Sequence, residues 1–150
     1  GARDGAEMSA EPRAADSVDA LRACFPVIQE LRPHLTEAAF LAQVQRQQER
    51  HGYRLVYLEA DGRVAAAAGY RVAEFLAWGR ALYIDDLATL STARRQGHAG
   101  RLLDWLIAQA RVEGCDQLHL DSGVQRHDAH RLYLGRKLRI TSHHFAIELG

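Results

Sequence analysis

The sequence predicts one domain of the α/β (α+β) class, with helices flanking a single central sheet. Three observations support this class: two helical patterns come first, three strand patterns joined by turn residues follow, and an amphipathic helix comes next. A chain of 150 residues, 47% of them hydrophobic, is large enough to bury one core. We expect the domain to cover residues 13–150 and residues 1–12 to be a disordered tail or a cloning remnant.

The early part of the chain carries two predicted helices and then an antiparallel meander. Pro33 separates the helices, and Thr36 is a suitable N-cap for the second. Residues 53–59, 64–72 and 82–90 are predicted strands, joined by tight turns at residues 61–62 and around Gly79. The apolar positions that define the helices are Val18, Leu21, Phe25 and Ile28, followed by Phe40, Leu41 and Val44.

A continuous apolar stripe predicts a third helix that packs flat on the sheet. Gly114 suits its C-terminal cap. Beyond it, residues 118–120 are a predicted short strand, residues 127–134 a short helix and residues 140–149 a final strand. The stripe consists of Ala99, Leu102, Leu103, Leu106, Ile107 and Ala110.

The segment that enters this helix, residues 94–103, has the properties of an anion-binding loop. Gly97, Ala99 and Gly100 are small, so the backbone can turn tightly and the first free N–H groups of the helix can point at an anion. The segment is not a P-loop, because the chain's only lysine is the distant Lys137, and it lacks the third glycine of a dinucleotide fingerprint. A diphosphate is therefore the expected ligand.

The pattern Arg-x-x-Gly-x-Ala at Arg94, Gly97 and Ala99 resembles the acetyl-CoA-binding motif of the GCN5-related N-acetyltransferase (GNAT) family. The order of predicted elements is similar to that family from about Asp16 onward. The family's second motif, Asn-x-x-Ala-x-x-Leu-Tyr-x-x-x-Gly-Phe, is present in altered form. Arg126 stands in place of the asparagine, the pair at 137–138 replaces Gly-Phe, and the matching positions are Ala129, Leu132 and Tyr133.

The resemblance implies a mixed, mostly antiparallel sheet of about six to seven strands flanked by about four helices. It also implies acetyl transfer from acetyl-CoA to a primary amine by direct attack in a ternary complex. The altered second motif leaves an alternative open, a module of the same fold that binds an acyl-CoA as a sensor without turnover. Neither hypothesis includes a metal.

The resemblance also assigns residues to the cofactor. Main-chain groups of Leu87, Ala88 and Thr89 are expected to hold the carbonyl and the pantetheine arm, as an added strand would be held. Arg126 can hold a phosphate where the family has asparagine. The residues expected around the diphosphate are Arg94, Arg95, Gln96, Gly97, His98, Ala99 and Gly100.

Acetyl transfer requires a neutral amine, and neutralising an alkyl amine of pKa near 10.4 at pH 7 costs about 4.6 kcal/mol. Asp85 and Asp86 are candidate bases, and strand alternation points one to each face, which leaves the choice between them open. By resemblance, Tyr133 is the general acid for the coenzyme A thiolate. That proton transfer is uphill by about 2 kcal/mol, and Arg131 or Arg136 can assist it.

The acceptor, an amine of a small molecule or a peptide, is expected between the first two helices and the meander. Glu30 and Glu37 are candidates to attract its ammonium group. The predicted substrate-binding residues are Tyr70, Glu74 and Tyr83.

The formal net charge of zero gives no bulk electrostatic basis for binding nucleic acid or an anionic membrane. Cys24 and Cys115 are expected to be reduced thiols. No apolar run reaches the roughly 20 residues that span a bilayer, and no signal-peptide segment is present, so we expect a cytoplasmic protein. Adjacent His143 and His144 would face opposite ways and do not predict a metal site. Pairing of edge strands would allow a homodimer.

Overall fold

A computed structural model describes residues 11–150, which contain five strands and four α-helices. These residues form two compact units, residues 11–119 and Leu120–Gly150. Most of the predicted tail lies outside the described residues, and one domain over residues 13–150 stays a prediction. Within residues 11–150, no helix combines the length and the apolar character needed to cross a membrane.

The sheet has the strand order β1-β2-β3-β4-β5, and each of the first three strands pairs antiparallel with the next. The predicted meander is therefore confirmed. Asp61 and Gly62 both have positive φ, 54° and 78°, as a tight two-residue hairpin turn requires. The strands are β1 (Arg13–Ala14), β2 (Arg54–Ala60), β3 (Arg63–Phe75), β4 (Gly79–Thr89) and β5 (Gln117–Leu120). Five strands are fewer than the six to seven expected.

The two early helices are α1 (Val18–Leu31) and α2 (Glu37–His51), as predicted. Each begins at a side-chain cap: Ser17 accepts from the Ala20 amide, and Thr36 accepts from the Ala39 amide. The third helix, α3 (His98–Val112), carries the predicted stripe and ends just before Gly114, which has a φ of 72°.

Small side chains at the centre of β3 let helices approach both faces of the sheet. Residues 65–68 are all alanine and are at most 1% exposed. One face packs against α1 and α2 through Phe25, Phe40 and Leu55, among others. On the other face Tyr70 contacts Trp105 of α3, whose leucines at 102, 103 and 106 are fully buried.

In the second unit, α4 (His127–Gly135) confirms the predicted short helix. The predicted final strand at residues 140–149 was wrong, because residues 138–150 form neither helix nor strand. The alternating apolar residues that suggested it, including Phe145, Ile147 and Leu149, are more than four-fifths exposed. A strand also needs a neighbour to pair its N–H and C=O groups, and no described strand pairs with this segment.

Candidate active site

Strand β4 contains a bulge at Asp85. Across the β3 ladder Gly69 pairs with Asp86 and Tyr70 pairs with Ile84, so Asp85 has no partner on β3. The bulge interrupts the alternation of side chains, and the expectation that the two carboxylates face opposite sides was wrong. Asp85 pairs with Arg71, which points away from the α3 face because its neighbour Tyr70 packs on that face.

Asp86 accepts hydrogen bonds from one residue just after α1 and from one just before β2. Its Oδ1 accepts hydrogen bonds from Arg32 Nε at 3.0 Å and Nη2 at 2.9 Å, and its Oδ2 accepts one from the Tyr53 hydroxyl at 2.8 Å. Arg32 Nη2 also donates to the main-chain oxygen of Asp85 at 3.2 Å. Arg32, just after α1, thus holds both residues of the bulge. Both Asp side chains are mostly buried.

Tyr53 reaches Asp86 only because residue 69 is glycine. A Cβ at Gly69 would lie 1.7 Å from the Tyr53 hydroxyl oxygen, far inside van der Waals contact. Burial raises the pKa of Tyr53 well above its ordinary value, and the negative charge of Asp86 adds to the effect. Tyr53 therefore stays protonated and donates to the carboxylate. Neither Tyr53 nor Arg32 was identified from the sequence as part of the site.

The two carboxylates differ in their surroundings. Burial raises the pKa of Asp85, the nearby Arg71 guanidinium opposes that rise, and the negative charge of Asp86 adds to it. The Arg71 contact is long, with Nε 3.3 Å from Oδ1. Asp85 is therefore the more weakly held of the two and is more basic than an ordinary aspartate.

A cavity of about 310 Å³ lies between α1, α2 and β4, where the acceptor was expected. The predicted substrate-binding residues Tyr70, Glu74 and Tyr83 do not line it; Tyr70 lies on the opposite face of the sheet. The described residues that line it are Ile28, Arg32, His34, Leu35, Phe40, Gln43, Val44, Gln47, Tyr53 and Asp86.

Two glutamates considered for the acceptor have other partners. Glu30 accepts hydrogen bonds from the Ser91 amide at 2.7 Å and from the Ser91 hydroxyl at 3.0 Å. Glu37 pairs with Arg22 at 3.3 Å. Glu30 instead ties the end of α1 to the segment that follows β4.

The predicted anion-binding loop enters α3 without a side-chain cap. Gly97, at the N-cap position, has a φ of 81°, and the first turn of α3 has no acidic residue. In the part of the chain that the structure describes, no capping side chain bonds its first N–H groups, whereas α1 and α2 each have such a cap. Arg94 and Arg95 are exposed beside them, and Arg95 is itself in the left-handed region with a φ of 64°.

His98 has a different place from the other loop residues. Its side chain is buried, with Nε2 3.1 Å from the Gln96 side-chain oxygen, and burial lowers its pKa. Its Nδ1 has no hydrogen-bond partner among the described residues. The His98 imidazole is therefore turned inward beside Gln96, unlike the exposed side chains of Arg94 and Arg95.

The main chain of Leu87, Ala88 and Thr89 lies along an open part of β4. These residues pair with β3 on one side. On the other side β5 meets β4 near Arg80, whose oxygen accepts from the Asp116 amide. A strand of four residues that starts there ends before Leu87 in either direction. Among the described strands, none pairs with this edge of residues 87–89, which an extended ligand bound as an added strand would need.

In the second unit, Tyr133 is buried on α4. Burial raises the pKa of Tyr133, and the Arg126 guanidinium opposes the rise by favouring the phenolate. The cation beside this hydroxyl is thus Arg126, whereas Arg131 pairs with Asp128 at 3.4 Å.

Other reactive groups lie outside this arrangement. Burial raises the pKa of Cys24 to about 12, which keeps this thiol protonated and inert. Within residues 11–150, no three or more His, Cys, Asp or Glu side chains are grouped so that they could hold a metal ion.

Residues 16–136 match the family model for the acetyltransferase (GNAT) family. The chain belongs to the GNAT family of acetyltransferases. It is 32% identical over 109 residues to the uncharacterized N-acetyltransferase YhdJ of Bacillus subtilis (strain 168), an alignment that covers 73% of this chain and 77% of YhdJ.

Solved structures share the GNAT fold. A transcriptional regulator from Bacillus halodurans C-125 superposes with a TM-score of 0.81 at 19% identity, covering 92% of this chain and 98% of that one. AAC(6')-Iy in complex with the bisubstrate analog CoA-S-monomethyl-acetylneamine superposes with a TM-score of 0.79 at 14% identity, covering 93% and 97%. At these identities the likeness shows the fold alone.

Lys137 stands where the family's second motif has glycine, and it lies in the left-handed region, with a φ of 68°. The following amide, of Leu138, donates to the Tyr133 oxygen at 3.0 Å and closes the end of α4. A lysine in this region is strained, as a glycine would not be.

Proposed function

We propose that the chain is an acetyl-CoA-dependent N-acetyltransferase that acts on a primary amine of a small molecule or a peptide. The observation that carries the proposal is the β4 bulge, which brings Asp85 and Asp86 to one face beside a cavity. A carboxylate of raised pKa in such a place is suited to accept a proton during amine attack.

The residues after the bulge fit acetyl-CoA. The uncapped start of α3, with Gly97 and the exposed Arg94 and Arg95, suits a diphosphate because it combines free N–H groups with positive charge. The open edge of β4 at residues 87–89 suits the pantetheine arm. From Asp86 to Leu90 an extended strand covers about 13 Å, so the two sites are joined by one stretch of main chain.

The proposed reaction forms one bond and breaks one bond. The amine nitrogen attacks the thioester carbonyl carbon, the C–S bond breaks, and an amide and coenzyme A result. One proton leaves the amine nitrogen for a carboxylate, directly or through water, and one proton reaches the thiolate sulfur. Tyr133 is the proposed donor of that second proton, because its raised pKa keeps it protonated at neutral pH and Arg126 stabilises the phenolate that it becomes.

We assign the role of general base to Asp85 and not to Asp86. Asp86 has both oxygens in hydrogen bonds, two from Arg32 and one from Tyr53. Asp85 has a raised pKa and a single long contact with Arg71. The higher pKa makes Asp85 the better proton acceptor, while Asp86 borders the cavity and positions the bulge.

The test measures thiol release from acetyl-CoA with a panel of primary amines, with mass spectrometry of the product. We expect Asp85→Asn and Tyr133→Phe each to lower kcat by about a hundredfold or more. Coenzyme A affinity, measured by calorimetry, is expected to change little in both variants. Tyr57→Phe, a buried tyrosine of β2 outside the proposed machinery, is the control.

Three outcomes would contradict parts of this proposal. Coenzyme A binding without thiol release across the panel would favour an acyl-CoA sensor. Full activity in Tyr133→Phe would show that Tyr133 is not the general acid. A larger loss in Asp86→Asn than in Asp85→Asn, at equal stability, would move the base to Asp86.

A further inference from the structure

The arginine and the carboxylate that line the cavity beside the bulge offset each other's charge. Arg32 and Asp86 are its arginine and its carboxylate, and they form an ion pair with each other at 2.9 Å. The exposed His34 is the remaining basic residue of the lining, and Tyr53 stays protonated. Asp85 lies outside the lining and is itself paired with Arg71.

This pairing disfavours a charged amine. An ammonium that approached Asp86 would also approach the Arg32 guanidinium, and the two like charges would repel each other. The nearby cation favours the neutral form of the amine. Asp86 can still accept a hydrogen bond from it, since a carboxylate has about four lone-pair positions and Asp86 uses three.

The size and lining of the cavity set a second limit. Its volume of about 310 Å³ is at the lower end of ligand sites, so the ligand is small. Ile28, Leu35 and Val44 offer apolar wall. Gln43 and Gln47 bond to each other at 3.1 Å, which leaves one amide oxygen and one amide nitrogen for a neutral polar group.

We propose that this cavity binds the acceptor, and that the acceptor is a small, weakly basic primary amine with an apolar body and a neutral polar group. The α-amine of an amino-acid amide belongs to this class. Alkyl amines, polyamines and phosphorylated amines do not. This inference rests on the proposed acetyl transfer, and it assigns Arg32 as the residue that sets the preference.

The test compares leucinamide with 3-methylbutylamine, which has the same branched body and lacks the carboxamide. At pH 7 an α-amine of pKa about 7.7–8.0 is roughly 200- to 400-fold more populated in the neutral form than an alkyl amine near 10.4. We therefore expect kcat/KM to favour leucinamide by about a hundredfold or more. Spermine and phosphoethanolamine are expected to react more slowly still.

Variants at Arg32 separate charge from contacts with the carboxamide. Arg32→Gln leaves Asp86 free to pair with an ammonium, so the preference for leucinamide should fall at least about tenfold. Arg32→Lys keeps the charge and should keep the preference. Arg22→Gln, within α1 and paired with Glu37, is the matched control and should match the wild type. Thermal unfolding and coenzyme A binding of each variant are measured first.

A wild-type preference below about tenfold would overturn the inference, as would an Arg32→Gln variant with the wild-type preference. In both cases thiol release would still be observed, and the proposed acetyl transfer would stand. Coenzyme A binding without thiol release for every amine would instead overturn the acetyl transfer, and this inference with it.

Discussion

Replacing Tyr53 with Phe removes one hydroxyl from the centre of the site and tests how the bulge is held. The ring is 4% exposed and Phe keeps its shape, so the main loss is the 2.8 Å hydrogen bond to Asp86. Hydrogen bonds to charged groups contribute about 1.5 to 3 kcal/mol, and we expect the unfolding free energy at pH 8 to fall by about that amount. Urea unfolding followed by fluorescence measures it.

The same variant predicts a pH dependence. Burial and Asp86 raise the pKa of Tyr53 in the folded protein, whereas the unfolded tyrosine ionises near 10. Above pH 10 the folded state therefore binds more protons than the unfolded state, and stability falls as pH rises. Tyr53→Phe lacks this loss, so the difference between the two proteins should shrink by about 1.4 kcal/mol per pH unit there.

Two results would refute the reasoning about Tyr53. One is an unfolding free energy within about 0.5 kcal/mol of wild type at pH 8, which is the range of ordinary surface substitutions. The other is a difference that stays constant above pH 10. Tyr57→Phe, a second buried tyrosine, controls for the general effect of losing a hydroxyl.

Three further predictions concern the loop, the bulge and the end of α4. Gly97→Ala and its control Gly62→Ala both add strain at a positive φ with open space around the Cβ. Only Gly97 belongs to the proposed diphosphate site, so calorimetry should show weaker coenzyme A binding for Gly97→Ala alone. Asp85→Asn should raise the unfolding free energy at pH 7 and not at pH 3. The pKa of Asp85 is raised in the folded protein, so the wild type loses stability as pH rises from about 4, and the asparagine variant lacks this loss. Equal effects at both pH values would contradict this. Lys137→Gly should stabilise the protein by about 1 kcal/mol in urea unfolding, and destabilisation would show that the lysine side chain outweighs the strain at its φ of 68°.

Local patterns predicted the elements of the first unit well. Thr36 caps α2, Gly114 follows α3, and residues 61–62 form the hairpin turn, because each depends on a few neighbouring residues. The uncapped start of α3 at Gly97 follows from local sequence in the same way, and its role in binding an anion stays a prediction. The prediction of a final strand was wrong because the sequence pattern shows only which residues are apolar, whereas a strand also depends on a partner elsewhere in the chain.

The arrangement of the site could not be predicted from local patterns. Arg32 is 54 residues from Asp86, and Tyr53 is 33 residues from it, so their contact follows from the packing of α1 and β2 around β4. The bulge depends on the register between β3 and β4, and neither Gly nor Pro occurs among residues 83–87 to mark it. Glu30 was assigned to the acceptor on its charge alone, whereas the fold pairs it with Ser91.

The end of α1 also limits which changes of chain length the site can tolerate. Glu30 binds Ser91 after β4, and Arg32 binds Asp86 at the bulge, so two residues from one helix end contact both ends of residues 86–91. Successive helical residues are about 100° apart around the axis. Inserting or deleting one residue early in α1 would turn both side chains away together, so libraries built on this chain should vary the exposed residues of α1 and keep its length.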